Sequence, residues 1–249
     1  MFSGLVRKIV SGASLALVTL FAVQASATGA NPVKNLPRSK MLYYTFDDGP
    51  VNDGPTKNRT DRVLDVLKAH NAKGLFFING KAVNGPLTRG TIGRMASEGH
   101  IVGSHQFEHI LVPDGQDEVF TDQVVKNKTL IANLAGASNP LYFRYPYGAK
   151  KPWKEAILQQ QGYADGGIAW HMDSLDWAFA SGTKETNKRP EVPANLKSDY
   201  QGWVKYHTTN VGGGIMLHHD IHQLTVDNLD AEMTWMTQQG YTFGEFPRE

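Results

Sequence analysis

The sequence has 249 residues, with 25 basic and 24 acidic side chains, so its formal net charge is +1 at neutral pH. A balance this even, without a long run of one sign, argues against nucleic acid and anionic membranes as partners. The chain has no cysteine, which excludes disulfide bonds, thiolate nucleophiles and cysteine metal ligands.

The first 27 residues are typical of a signal peptide. Arg7 and Lys8 precede an uncharged, largely apolar run at residues 9–23, and the small residues 25–27 (Ala-Ser-Ala) follow it. The run is shorter than the roughly 20 residues that a membrane-spanning helix needs, so we expect cleavage after Ala27. This pattern predicts export to the periplasm or the extracellular space, with no stable membrane anchor after cleavage.

Removal of residues 1–27 leaves 222 residues and reduces the net charge to −1, because Arg7 and Lys8 are lost. A chain of this length is enough for one substantial hydrophobic core. We therefore expect residues 28–40 to form a short N-terminal lead and residues 41–249 to form one domain.

Strand and helix patterns alternate along this domain. In chain order, strands are predicted at 41–46, 75–78, 100–103, a short stretch into Phe143, an apolar piece at 167–170, 214–217 and 241–243. Helices are predicted from about residue 60, and at 88–97, 117–134, 152–161, 200–207 and 225–239. The polar segment 180–198, with two prolines, is interpreted as a surface insertion. The alternation indicates an α/β fold with parallel strands, either a barrel or a doubly wound sheet.

Polar clusters follow several of the predicted strands. In both architectures, functional groups gather at the carboxyl ends of the strands, whereas a purely solvating role would place these residues on helices. The clusters are Asp47-Asp48, His105 with His109, Arg144, Asp173 with Asp176, and His218-His219-Asp220.

Two of these clusters could form a metal site. Asp47-Asp48-Gly49-Pro50 is also a favourable turn sequence, in which both carboxylates would only bond nearby amides. The alternative gives the carboxylates different roles, one on a metal and one free to accept a proton. His105 and His109 have the i, i+4 spacing of one helical face, or of a tight loop, and two imidazoles with one carboxylate form a three-ligand zinc site.

The remaining clusters allow two interpretations each. Arg144 could pair with a surface acid or keep a catalytic carboxylate ionised. Asp173 to Trp177 could be a capped helix start, or Asp176 could support a catalytic histidine beside a pocket wall formed by Trp177. His218 and His219 end a strand, so only one of them can face a shared site, and the residues alone leave that choice open.

Taken together, these segments resemble the polysaccharide deacetylases of carbohydrate esterase family four, which share the NodB-homology domain. Five segments match the family motifs in order across positions 45–220: Thr45-Phe46-Asp47-Asp48-Gly49-Pro50, His105 to His109, Arg144-Tyr145-Pro146-Tyr147, Asp173 to Trp177, and Leu217-His218-His219-Asp220. The resemblance implies a distorted (β/α) barrel with parallel strands. It makes residues 41–249 the catalytic domain.

The resemblance also implies a metal site and a general base. Asp48, His105 and His109 would hold a divalent metal, for which we expect zinc, with cobalt or another transition metal as alternatives. Asp47 would be the general base and Arg144 its partner.

The other half of the site follows from the same resemblance. The backbone N–H of Tyr147 would bind the oxyanion, and Asp176 would support His219 as the general acid. Trp177 and Leu217 would line the acetyl pocket.

The second motif departs from the family pattern, since Gln106 and Glu108 stand where small polar residues are usual. We expect the hydrogen bonds of this loop to differ, and Glu108 is a candidate for an additional carboxylate near the ion.

The resemblance implies hydrolysis of N-acetyl groups from N-acetylglucosamine residues of a polysaccharide or oligosaccharide, of the peptidoglycan or chitin type. The alternatives are an acetyl xylan esterase of the same family and a non-catalytic carbohydrate-binding member. The implied partner is the glycan substrate.

Overall fold

The computed structural model describes residues 32–248, and the predicted signal peptide at residues 1–27 lies outside them. Within these residues, six strands form one sheet in which every pairing is parallel. The strands are β1 (Met41–Asp47), β2 (Leu75–Ile78), β3 (Ile101–Ser104), β4 (Met172–Asp173), β5 (Gly214–His219) and β6 (Thr242–Phe243). Their order is β3-β2-β1-β5-β4, with β6 paired to the first residues of β1.

The two edges of this sheet are joined by one segment of chain. Phe143 makes single parallel bridges to Ser104 at the end of β3 and to Gly167. Shortly after Gly167, at Met172, the same segment becomes β4, which pairs with β5 at the opposite edge. The strands therefore curve into an irregular barrel, and the predicted α/β barrel is confirmed over the doubly wound alternative.

Eight helices connect and cover the strands in the described part of the chain. They are α1 (Arg59–Ala69), α2 (Pro86–Ser97), α3 (Asp117–Ala135), α4 (Pro152–Gln160), α5 (Asp176–Ala180), α6 (Thr183–Thr186), α7 (Tyr200–Val211) and α8 (Gln223–Gln238). The start of α1 shows how local sequence sets a boundary: the Asn58 side chain accepts from the Asp61 N–H, while the Asp61 carboxylate accepts from the Asn58 N–H. None of these helices combines the length and the apolar character that a membrane crossing requires.

Alternate residues of β1 face the two sides of the sheet, as the period of a strand requires. Leu42 and Phe46 pack into the larger core between the sheet and the helices. Tyr43 packs on the other side with Phe77 of β2 and Ile215 of β5, toward the centre of the barrel. Asp47 belongs to this inner side and emerges at the carboxyl end, where the barrel opens.

Most predicted elements lie within a few residues of the observed ones, but one expectation was wrong. Only Gly167 of the apolar piece 167–170 pairs as a strand, because the carbonyl oxygen of Ile168 accepts from Arg144 Nε (3.1 Å) instead of from a neighbouring strand. The segment 180–198 lies mostly at the surface, as an insertion would, although it contains α6 and buries Thr186 and Val192.

Candidate active site

The polar clusters converge at the carboxyl ends of the central strands. Asp47 and His219 are the last residues of β1 and β5, and the pairing register sets them side by side. His105 directly follows β3, and Arg144 follows the bridge at Phe143. Residues that are more than 170 positions apart in sequence therefore share one opening of the barrel.

Asp47 is held by a buried arginine. Arg144 Nη1 lies 2.8 Å from Asp47 Oδ1 and 2.8 Å from Thr45 Oγ1, and both Asp47 and Arg144 are at most 3% exposed. Phe77 lies under the guanidinium, 4.2 Å from its carbon to the ring centroid. The guanidinium is a planar donor in a fixed place, so it orients the Asp47 carboxylate.

His219 forms the second charged pair of the site. Its Nδ1 lies 2.7 Å from Asp176 Oδ1, and the other carboxylate oxygen accepts from the His219 N–H and from Thr225 Oγ1, both at 2.6 Å. Burial disfavours the imidazolium, but the Asp176 carboxylate outweighs burial and raises the pKa of His219 to about 10. His219 thus carries a proton at neutral pH and presents its other nitrogen, Nε2, to the cavity.

His218 faces the opposite side of β5 and lies outside the cavity. It is fully buried, with its Nε2 3.1 Å from Glu232 Oε2 of α8 and its ring stacked on Tyr44. The alternation that left the two histidines undecided in the sequence is thereby resolved, and His219 is the one beside Asp47.

Asp48, His105 and His109 form a compact cluster of donors. The Nε2 atoms of His105 and His109 lie 3.4 and 3.3 Å from Asp48 Oδ1. His105 donates its Nδ1–H to the Arg144 carbonyl oxygen at 2.8 Å, which aims Nε2 at the cluster. Asp48 adopts a left-handed φ of 76°, a conformation that aspartate tolerates better than most residues.

Position 49, directly after Asp48, requires glycine. A Cβ on Gly49 would lie 2.1 Å from the buried carboxylate of Asp220, so any larger residue would displace the turn that carries Asp48.

These groups line a cavity of about 520 Å³, within the range of small-molecule sites. Trp177 and Leu217 form part of its wall, and Tyr147 stands at its rim with 65% of its surface exposed. Tyr147 has a left-handed φ of 58°, and its backbone N–H makes no hydrogen bond within residues 32–248. A free N–H at such a position can serve an oxygen atom of a ligand.

The unusual loop residues lie apart from this donor cluster. Gln106 is buried with a φ of 64°, and Glu108 lies 3.3 Å from Lys81 Nζ on the surface. The expectation that Glu108 adds a carboxylate near the ion was therefore wrong, because Lys81 draws it outward.

Comparison with known proteins agrees with this geometry. The family model described as "Polysaccharide deacetylase" matches residues 34–165, which is more than half of the chain. The chain belongs to the polysaccharide deacetylase family. The matched residues include Asp47, Asp48, the two cluster histidines and Arg144.

Individual members of the polysaccharide deacetylase family are similar over most of this chain. The peptidoglycan-N-acetylglucosamine deacetylase PgdA of Listeria monocytogenes is 32% identical over 206 residues, 82% of this chain and 38% of PgdA. Chitin deacetylase 2 of Saccharomyces cerevisiae is 31% identical over 186 residues, 75% of this chain and 52% of the yeast protein. The chain thus spans only about a third to a half of these relatives. Among solved structures, a T48 deacetylase with substrate has a TM-score of 0.64 and 27% identity, covering 84% of this chain and 90% of that one.

The donor set of this member of the polysaccharide deacetylase family fits a divalent metal. Asp48 Oδ1 is shielded from solvent and has no hydrogen-bond partner in the described chain, although such an oxygen is costly to leave unsatisfied. The ligand atoms of Asp48, His105 and His109 all lie within 4.8 Å of one another. Two imidazoles and a carboxylate suit zinc and other transition metals.

Thr45 and Arg189 are among the site residues that the sequence did not predict, as are Trp170 and His222 of the cavity wall. Thr45 bridges Arg144 and the Met216 carbonyl oxygen, which it reaches at 2.7 Å, and its place in the first motif was the one signal for it. Arg189 lines the cavity from the segment 180–198, where no motif indicated a role.

Proposed function

We propose that this family member is a metal-dependent hydrolase that removes N-acetyl groups from N-acetylglucosamine residues of a polysaccharide or oligosaccharide. One observation carries the proposal: a buried carboxylate–arginine pair and a buried carboxylate–imidazolium pair meet beside a cluster of three metal donors. The first pair can accept a proton and the second can donate one. A binding module has no need of two such pairs, so the arrangement supports catalysis over the non-catalytic alternative.

Asp48, His105 and His109 would hold the metal, with zinc as the proposed ion. Such an ion polarises a substrate carbonyl and makes a water molecule more acidic. The Arg144 carbonyl oxygen fixes the tautomer of His105, so that its Nε2 carries a lone pair toward the ion.

Asp47 would act as the general base. Arg144, whose Nη1 also donates to Thr45 Oγ1, holds one of its oxygens, which leaves the other, Oδ2, to take the proton of the attacking water. The ion pair prevents the Asp47 carboxylate from rotating away from the water.

Tyr147 and His219 would act on the later steps. The free N–H of Tyr147 would donate to the oxyanion of the tetrahedral intermediate, a type of interaction worth about 3 kcal/mol or more in acyl transfer. His219 would then deliver a proton from Nε2 to the departing amine nitrogen, while Asp176 stabilises the imidazolium beforehand. Acetate and a free amino sugar are the products.

Trp177 and Leu217 would enclose the acetyl methyl group. Leu217 is two residues before His219 on β5, so both side chains face the cavity. An apolar pocket beside the acid and the base suits an acetyl group better than a longer polar acyl chain.

The natural substrate would be peptidoglycan, chitin or their oligosaccharides. The names of the Listeria and yeast relatives, a peptidoglycan deacetylase and a chitin deacetylase, support this range. Export fits such substrates, so we propose that residues 1–27 are cleaved and that residues 41–249 act as one catalytic domain in the periplasm or outside the cell.

The direct test is acetate release by purified residues 28–249 from N-acetylglucosamine oligomers, before chelation, after chelation and after zinc is restored. We expect release that disappears with the metal and returns with it. Acetylated xylan is assayed in parallel. Release from xylan alone would replace the proposal by the esterase alternative, and release from neither glycan nor peptidoglycan by the folded, zinc-loaded protein would contradict it.

A further inference from the structure

The segment 180–198 is a fixed part of the cavity wall. Thr186 Oγ1 donates to the Lys197 carbonyl oxygen at 2.6 Å, and Lys197 Nζ returns bonds to the carbonyl oxygens of Thr186 (2.8 Å) and Arg189 (2.5 Å). Val192 anchors the same segment in the core with 2% exposure. These bonds fix the backbone of Arg189, so the place of its side chain is determined by the fold.

The Arg189 guanidinium lies over the Trp177 ring in the cavity wall. Its carbon is 4.2 Å from the centroid of the Trp177 ring, and both residues line the cavity together with His219 and Asp48. Stacking occupies one face of a guanidinium and leaves its N–H edges free for a planar acceptor.

Arg189 has no acidic partner of its own. Within residues 32–248, Arg59, Arg94 and Arg144 all form ion pairs, whereas no carboxylate lies within 4 Å of Arg189. Its Nε is buried without a hydrogen-bond acceptor. A charged donor left in this state, in the wall of a ligand cavity, is a group that a bound anion would satisfy.

The acidic residues of the cavity are committed elsewhere. Asp47 is paired with Arg144, and Asp48 belongs to the donor cluster. Asp173 accepts from the Leu175 N–H at 2.8 Å. None of them lies within 4 Å of the Arg189 guanidinium, so none neutralises its charge.

We propose that Arg189, stacked on Trp177, forms a subsite for a carboxylate carried by the glycan on a sugar near the acetyl group that is removed. The inference rests on the proposed deacetylase function, and within that function it selects carboxylate-bearing amino-sugar polymers over neutral ones. Carboxylate matches the geometry because its two oxygens can accept from two N–H groups along one edge of the guanidinium.

The test compares two tetrasaccharides, a neutral one of N-acetylglucosamine and one in which N-acetylglucosamine alternates with the carboxylate-bearing N-acetylmuramic acid. Wild type, Arg189→Gln and Arg189→Lys are assayed, with Arg89→Gln as a control that removes the same charge from an exposed helix position. For Arg189→Gln we expect kcat/KM on the acidic glycan to fall by about tenfold or more, mainly through KM. On the neutral glycan we expect a change of less than about twofold, as for Arg89→Gln on both glycans. Arg189→Lys keeps the charge but not the planar edge, so it should recover only part of the loss.

Equal losses on both glycans would show that Arg189 only supports Trp177, and no loss on the acidic glycan would also overturn the inference. Equilibrium binding of the same two glycans to the zinc-loaded proteins gives a readout that is independent of turnover. If neither glycan is deacetylated, the proposed function fails, while tighter binding of the acidic glycan that Arg189→Gln removes would still support the subsite. Equal binding of the two glycans by wild type would exclude it.

Discussion

Asp47 and Asp48 are neighbours in sequence but lie in different electrostatic surroundings. Asp47 is 3% exposed and bonded to Arg144, whereas Asp48 turns through a left-handed conformation toward His105 and His109. We propose that environment, not residue type, makes Asp47 the proton acceptor and Asp48 a metal ligand, as is common where one site needs both roles.

The pair of Asp176 and His219 makes a prediction about pH. Because the Asp176 carboxylate raises the pKa of His219 to about 10, the acid form persists through neutral and mildly alkaline pH. Asp176→Asn removes that charge, so the pKa of His219 falls and the imidazolium is lost at lower pH. We expect the alkaline limb of kcat to move to lower pH, with kcat at pH 8 reduced by about tenfold or more.

The measurement is kcat against pH for wild type and Asp176→Asn. Asp227→Asn, on the exposed side of α8, is the control and should leave the limb in place. If the alkaline limb of kcat for Asp176→Asn stayed at the wild-type pH, Asp176 would not have this supporting role.

For single residues, the residue types of the site were predictable from the sequence, but the contacts between their side chains were not. The motifs in the sequence indicated Asp47, Arg144, His219 and their neighbours. The bridging role of Thr45 and the stacking of Arg189 on Trp177 depend on contacts over 99 and 12 residues of chain, which no local pattern encodes.

The two histidines that end β5 lie in different surroundings. Its successive histidines face opposite sides, with His219 in the cavity and His218 against Glu232 and Tyr44. Burial disfavours the His218 imidazolium, but Glu232 outweighs burial and raises the pKa of His218. The pair is fully enclosed, so it belongs to the core and not to the site.

Removal of His218 should therefore destabilise the fold. His218→Ala leaves Glu232 as a buried, uncompensated charge, and we expect the free energy of unfolding to fall by about 3–5 kcal/mol. Urea unfolding measures this change. Lys126→Ala, which breaks the exposed i, i+4 pair with Asp122, is the control and should cost less than about 1 kcal/mol. A loss for His218→Ala no larger than that of the control would contradict the buried ion pair.

Among the elements, the long amphipathic helices and the apolar strands were predictable because their periodicity is strong. The helices predicted at 117–134 and 225–239 lie at Asp117–Ala135 and Gln223–Gln238. The elements that close the barrel were not predictable, because β4 has only two residues and Phe143 and Gly167 pair through single bridges. Arg144 donates to the carbonyl oxygens of Ile168 and Ala169 between these pairings, and no local pattern encodes such contacts.

The barrel brings residues that are distant in sequence into one site. Parallel strands place their carboxyl ends at one opening of the barrel, so positions from 45 to 219 meet there. The strand–helix alternation in the sequence predicted this convergence. The alternation alone left a barrel and a doubly wound sheet open, and the family resemblance implied the barrel. The segment that joins the two edges of the sheet accounts for the curvature, and its single bridges could not be predicted from the sequence.

In the proposed mechanism, Asp48 holds the metal while Asp47 accepts the proton. The measurement that tests it most directly is zinc content together with acetate release, for Asp47→Asn and Asp48→Ala side by side with wild type. We expect Asp47→Asn to retain zinc near the wild-type stoichiometry while acetate release falls by about 100-fold or more, because only the base is lost. Asp48→Ala should lose both zinc and activity. Undiminished acetate release by Asp47→Asn, or full zinc occupancy in Asp48→Ala, would contradict the assignment.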